Sequence, residues 1–298
     1  MKKILITGGS GLLGTNLALR LSHSFETLIL TNKRNIHVPF TQSMNSENFF
    51  VKSDYFKPDL IINTVALTDV DFCEKNPELA FKTNVQYINH LTNICLDNQS
   101  KLIHISTDHL SDGLKPCIKE NHRLKPINQY GKTKLLAENL IMSKINSPII
   151  LRTNFFGWGT KYRKSFSDRI IENLSLNKKI YLFKDAFFSP ISIRRLYEII
   201  LQLFRKNKNG VFNICSNDRM SKYNFGLKVC DYFNLKKKFI IPISINEAED
   251  LVLRPRDTSL NNFKITEELE FDCGLVSDNI NDLIYDVKDG IRNDLINL

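Results

Sequence analysis

A chain of 298 residues, 42% of them hydrophobic, can bury one large core or two modest ones, and no stretch is long and apolar enough to span a membrane. Its six cysteines are scattered without a C-x-x-C pair, which argues against a zinc ribbon or a disulfide framework and for reduced, mostly buried thiols in a cytoplasmic protein. The formal charge of +9 gathers in clusters such as Lys161-Tyr162-Arg163-Lys164 and Lys236-Lys237-Lys238 without a nucleic-acid recognition motif, so it reads as a solvated surface or a field for anionic small molecules, with no nucleic acid as partner.

The chain opens with Ile4-Leu5-Ile6, which ends at Thr7-Gly8-Gly9, well short of a signal-peptide core, and so reads as a first β-strand. Further short apolar runs follow at Thr27–Leu30, Leu60–Asn63, Leu102–Ser106 and Ile149–Leu151. Helical patterns at Leu12–Leu21, Pro77–Asn98 and Gln129–Lys144 lie between them. Buried runs alternating with helices predict an α/β fold built on a Rossmann-type, doubly wound parallel sheet. Beyond Gly157 the alternation loosens into a helix at Phe166–Leu174, a run at Ile180–Phe183, a helix at Arg194–Phe204, a strand at Val211–Ile214 and a helix near Asn224–Tyr232. This predicts a doubly wound nucleotide domain over residues 1–155 and a smaller C-terminal α/β substrate lobe over 156–298, with the chain revisiting the first domain around 187–215.

Gly8-x-x-Gly11-x-x-Gly14 sits between the first strand and the first helix, where side chains would obstruct a tight turn, a pyrophosphate or helix–strand packing. Leu12 and Leu13 open that helix and belong to the same cofactor-binding turn. The second strand ends at Leu30-Thr31-Asn32-Lys33-Arg34, with two cations and no acid, which favours NADPH over NADH through the ribose 2′-phosphate. Tyr130 and Lys134 are four residues apart on one helical face, a phenol beside an ammonium. Tyr130 is the acid–base candidate, and a neighbouring Lys134 ammonium is expected to lower its pKa while Lys134 also holds the nicotinamide ribose. Thr107, at the end of the strand Leu102–Ser106, can donate to a carbonyl oxygen that gains charge during hydride transfer. The six histidines lack metal-ligand spacing, so no metal site is expected; His104 reads as a satisfied core residue and His109 as a candidate to face substrate.

Together these residues resemble an extended short-chain dehydrogenase/reductase of the dTDP-4-dehydrorhamnose reductase family, along nearly the whole chain. Asn63-Thr64-Val65-Ala66 with Thr68-Asp69-Val70-Asp71, then Cys73-Glu74, Pro77-Glu78 and Asn84, match one family segment. Ser106-Thr107-Asp108 through Gly113 matches a second, and Leu151-Arg152-Thr153, Ser189-Pro190 and Arg254-Pro255 with Ser259-Leu260 are further signposts. The resemblance implies NADPH-dependent reduction of the 4-keto group of a deoxysugar nucleotide for surface-polysaccharide synthesis, with a nucleotide-diphosphate sugar as substrate. It places Ala66 at the cofactor, Asp108, His109 and Phe155 at the sugar, and Arg254 or Arg256 at the diphosphate; Asn84 matches an asparagine that supports a proton relay to the lysine. Dimers are frequent in the family, so a homodimer is compatible with it.

Departures from the family pattern cluster near the expected sugar pocket: His109 and Ser111 replace aromatic residues, Phe155 a tryptophan, and Ile191 a threonine. The general reaction is therefore better defined than the sugar. Two alternatives stay open: an epimerase or dehydratase of the same superfamily, where His109 counts against dehydration because dehydratases carry a glutamate there, and a non-catalytic NADP-binding subunit resembling the methionine adenosyltransferase beta subunit.

Overall fold

Both faces of every central strand are covered, and the first strand shows how. In a computed structural model that describes residues 1–32, 34, 36–45, 56–248 and 251–298, β1 (Lys3–Thr7) sends Ile4 and Ile6 to one side and Leu5 to the other. All three are fully buried. The side chains of a strand alternate between faces, so a continuous apolar run is what a sheet sandwiched between helices requires.

Among the described residues the sheet has seven parallel strands in the order β3 (Thr41–Asn45), β2 (Glu26–Thr31), β1, β4 (Leu60–Asn63), β5 (Lys101–Ile105), β6 (Ile149–Thr153) and β11 (Gly210–Ile214). On the Ile4 and Ile6 side pack α1 (Leu12–Leu21) and α7 (Ile193–Arg205), through residues such as Leu17, Leu21, Leu196 and Ile200. On the Leu5 side pack α4 (Tyr87–Asn98) and α5 (Gln129–Lys144), through Ile88, Leu91, Ala137 and Ile141. The strand order reverses between β1 and β4, so the crevice at their carboxyl ends is the natural ligand position of such a sheet.

The predicted helix over Pro77–Asn98 is an unbroken helical run with a change of pitch inside it. After a short α2 (Val70–Lys75), α3 (Pro77–Phe81) passes into a π-helical turn, Lys82–Gln86, and then α4. That wide turn carries Asn84. The polar strand β3, Thr-Gln-Ser-Met-Asn, lies at the sheet edge, where one flank needs no apolar partner.

The rest of the chain builds small strand pairs against the sheet's far end. β7 (Phe155–Phe156) pairs with β10 (Ile191–Ser192), β8 (Ile180–Phe183) with β13 (Ile240–Ile243), and β9 (Phe187–Phe188) with β12 (Met220–Ser221). Around them stand α6 (Phe166–Ser175), α8 (Lys222–Phe233), α9 (Phe263–Leu269), α10 (Val276–Lys288) and α11 (Ile291–Asn297). α6 opens with a capping box between Ser165 and Asp168. Among the described residues no helix is long and apolar enough to cross a membrane.

Five of the six cysteines are buried and only Cys117 is exposed. Burial pushes the Cys73 and Cys273 thiols up to about 11 and Cys95 to about 12, from 9.0. A thiol whose folded pKa is raised contributes stability below its unfolded pKa and loses it as pH climbs through the folded value. Titration of the native protein with an aromatic disulfide reagent at pH 8 is expected to release one equivalent rapidly and six after unfolding, and the urea midpoint to fall between pH 9 and 12. Two or more fast equivalents would contradict the buried thiols.

Candidate active site

Four strand ends and one helix converge on a single cleft of about 430 Å³. The turn after β1 supplies Gly11, Leu12 and Leu13, and the segment after β4 supplies Thr64, Ala66 and Thr68. The end of β5 gives Ser106, Thr107, Asp108 and His109, and the end of β6 gives Thr153, Asn154 and Phe155. Tyr130 and Lys134 enter from α5.

The glycine turn is tight for a measurable reason. Gly8 has φ +76, and a Cβ on Gly14 would stand 2.3 Å from the Gly8 carbonyl oxygen. Gly11 caps α1 in an extended conformation, and no acidic residue stands in the helix's first turn, so its free N–H groups and positive end face the cleft unopposed. The donor set and the missing side chains fit a dinucleotide's pyrophosphate.

α5 begins one residue before Tyr130. Its N-cap Asn128 accepts from the Gly131 N–H at 2.9 Å and donates to the Leu253 carbonyl at 3.2 Å. Gly131 explains the glycine between tyrosine and lysine: a Cβ there would lie 2.3 Å from the His109 carbonyl oxygen. Only glycine lets the loop after β5 press against the helix, which brings Thr107 and His109 to Tyr130. The His109 ring meets the Tyr130 ring edge to face, with centroids 5.7 Å apart.

One helical face carries Tyr130, Lys134 and Glu138 inward at successive turns, and Glu138 anchors it. Its carboxylate, fully buried, accepts from Ser106 Oγ at 2.5 Å and from Arg152 Nη2 at 2.7 Å and Nε at 3.1 Å. Arg152 also donates to the Glu120 carbonyl at 3.0 Å, and Glu120 accepts from the Asn213 N–H of β11 at 2.9 Å. The arginine of Leu-Arg-Thr is therefore a buried brace between β6 and α5, beneath the cleft.

Burial governs the charge states. It raises the Tyr130 phenol above its ordinary value, with Asp108 and Cys73 adding to the shift and a hydrogen bond with Thr107 opposing it. The expected lowering by Lys134 is absent, because burial dominates and depresses the Lys134 ammonium itself to about 8 against the pull of Glu138. Lys134 Nζ donates to the Ile105 carbonyl at 2.7 Å. Asn84 meets Thr133 rather than Lys134: its amide spans the Leu67 N–H and C=O and donates to Thr133 Oγ1 at 3.0 Å.

The remaining predicted residues divide. Arg34 lies with its guanidinium 3.9 Å from the centroid of the Tyr162 ring, and Lys33 is outside the described residues. Asp108 is buried and accepts from Asn154 at 2.9 Å. Arg254 and Arg256 do not line the cleft: Arg254 is paired with Asp71, and Arg256 donates to Asn246 at 2.7 Å. Of the residues that depart from the family pattern, His109 and Phe155 reach the cleft, whereas Ile191 is buried beside Phe155 in β10 and Ser111 is buried in its own turn, accepting from the Gly113 N–H. Sequence reading missed Arg163, Lys164 and Arg169, which line the cleft from the loop before α6 and from its first turns. Their signal was the basic cluster at 161–164, whose partner charge at Arg169 only the helix reveals.

Comparison with known proteins settles the family. A family model described as the RmlD substrate binding domain matches residues 1–288. The chain belongs to that family. It is 28% identical over 283 residues to a dTDP-4-dehydrorhamnose reductase of Aggregatibacter actinomycetemcomitans, covering 90% of this chain and 93% of that one. It is 26% identical over 273 residues to the methionine adenosyltransferase 2 subunit beta of Xenopus laevis, covering 89% and 81%. A solved structure of the Bacillus anthracis dTDP-4-dehydrorhamnose reductase in complex with NADP superposes with a TM-score of 0.82 at 22% identity, covering 96% of this chain and all of that one, and so shares the fold.

Because Glu138 is buried with its charge matched by one partner, replacing it strands the Arg152 guanidinium. Glu138→Ala is expected to cost about 3–5 kcal/mol in urea unfolding, and a change below about 1 kcal/mol would mean the brace is dispensable.

Proposed function

We propose that this protein reduces the 4-keto group of a deoxysugar nucleotide with NADPH, for the synthesis of a surface polysaccharide. The observation that carries the reading is the convergence of Tyr130, Lys134 and Thr107 on one cleft beneath an open glycine turn. The glycine turn would hold the pyrophosphate of NADPH, and Arg34, with Lys33 beside it in sequence, its 2′-phosphate, the cofactor then supplying hydride; the relative from B. anthracis was solved in complex with NADP. Thr107 donates to the carbonyl oxygen as charge develops there, and Tyr130 delivers the proton. Reduction requires the phenol to be protonated before the step, and burial holds it so at neutral pH. Arg163, Lys164 and Arg169 line the cleft and supply the counter-charge a diphosphate meets there, whereas Arg254 and Arg256 are not among its lining.

A second reading follows from the methionine adenosyltransferase relatives: an NADP-binding subunit without turnover of its own. Ketone-dependent NADPH oxidation by the isolated chain separates the two.

Against a panel of 4-keto-6-deoxy sugar nucleotides, we expect turnover of at least one member. Tyr130→Phe should cut kcat by roughly 10²–10⁴ while NADPH affinity, read by fluorescence titration, stays within a few-fold. A fully active variant would sink the proton-donor assignment, and NADPH binding without turnover on any sugar would favour the subunit reading. Arg34→Ala should weaken NADPH binding about tenfold or more while leaving NADH nearly unchanged, since a charge-assisted bond to a phosphate contributes more than ~1.4 kcal/mol. Equal losses would place Arg34 outside the cofactor site.

A further inference from the structure

Behind Lys134 runs a buried chain of hydrogen bonds that the reaction described above does not use. Thr7 Oγ1 donates to Asn63 Oδ1 at 2.6 Å, and Asn63 Nδ2 meets His104 Nδ1 at 2.9 Å. His104 Nε2 stands 3.1 Å from Lys134 Nζ. Thr7, Asn63 and His104 are entirely buried, and Lys134 is 1% exposed. The three sit at neighbouring positions on β1, β4 and β5, with Thr7 opposite Asn63 and Asn63 opposite His104 in the strand registers.

Direction in this chain is set at one end. Asn63 Oδ1 also accepts from the Val65 backbone N–H at 3.1 Å, and a backbone N–H can only donate. The oxygen of the amide is thereby identified, so its nitrogen faces His104 and donates to Nδ1. A ring that accepts at Nδ1 and is neutral must carry its proton on Nε2. That N–H points at Lys134.

We propose that His104 is a positioning residue for Lys134: locked by Asn63 as the Nε2–H tautomer, it donates to the lysine nitrogen and so favours the neutral amine over the ammonium. The inventory of the nitrogen balances. A neutral amine has one lone pair, which accepts from His104, and two hydrogens. One hydrogen goes to the Ile105 carbonyl at 2.7 Å and the other is left for the cleft. An ammonium in the same place would set N–H against N–H. The depressed affinity of Lys134 for its proton, and burial that holds the His104 ring neutral, agree with this arrangement. The other ionisable groups about Lys134 are Tyr130 and Glu138 on its own helix, Arg152 of β6 bound to Glu138, and Asp108 and His109 after β5. Glu138 pulls the other way, toward the ammonium.

The consequence rests on the proposed reductase reading: the Lys134 ammonium, where it is present, is a stronger acid than an ordinary lysine and gives its proton more readily to a Tyr130 phenolate. The decisive experiment is ¹⁵N NMR of the full-length protein labelled at histidine. At pH 7 His104 is expected to show Nδ1 as a bare acceptor and Nε2 as N–H. Both resonances should move in a titration near pH 8 that vanishes in Lys134→Met. The Nδ1–H tautomer, a charged ring, or no such titration would overturn the proposal. In kinetics, His104→Gln can turn a carbonyl oxygen toward the ammonium, and it should move the alkaline limb of kcat/KM upward by about one pH unit, a tenfold change in proton affinity. A lower rate with an unmoved limb would mean that His104 only packs, and would also overturn it. Should no ketone be reduced, the proposed reaction fails while the tautomer and the titration are still read.

Discussion

The active-site helix is held by a carboxylate that water cannot reach. Glu138 brings a full charge into the interior between β5, β6 and α5, an arrangement that stands only because Ser106 and the Arg152 guanidinium satisfy it. Such a pair contributes little net stability against a well-packed apolar substitute, but it tolerates almost no displacement. Its bonds are directional, and α5 cannot slide or rotate by a fraction of a turn without stranding a charge. Lys134 lies one turn and Tyr130 two turns along the same face, so the constraint on Glu138 is passed to both. The extension through Glu120 to Asn213 ties the seventh strand, formed more than fifty residues downstream, to the same point.

A second constraint works by absence. Gly14 lets the first helix close against the turn at Gly8, and Gly131 lets the loop after β5 touch α5. In both places the missing Cβ permits backbone to approach backbone at a cleft edge, and no side chain could give the same geometry. The two short strings that stand out in the sequence are thus joints: one brings an electropositive helix end to the cleft, the other brings a threonine hydroxyl to a phenol.

Legibility from sequence followed periodicity and chemistry. The strands of the sheet centre were readable because both of their faces are buried and their residues are uniformly apolar. β3 was not, because Thr-Gln-Ser-Met-Asn at an edge carries no such signature. The helix at 77–98 was visible as a whole, but its π turn, which carries Asn84 with its bonds to Leu67 and Thr133, leaves no periodic trace. Tyr130, Lys134, Thr107 and the glycines were legible because their spacing is itself the chemistry. Arg163, Lys164 and Arg169 were visible only as charge, and His104 only as a core residue, since what matters about each is what lies across the fold. Arg254 and Arg256 carry the family motif, and in the structure they pair with Asp71 and Asn246.

Both ionisable groups of the dyad are displaced by the same cause and in opposite directions. Burial disfavours charge, so the phenol is pushed to hold its proton and the ammonium to release its own. In water the two affinities lie close together. Here they are driven apart, toward a neutral phenol and an amine near its transition. For a dehydrogenase running toward ketone that would be a poor starting point, because oxidation of an alcohol needs the phenolate. For a reductase it is the required one: the phenol stands ready to give its proton, and the phenolate left behind lies one helical turn from Lys134, whose own proton is loosely held. A site that places Thr107 against the developing oxygen and keeps Tyr130 protonated suits the step that ends in an alcohol.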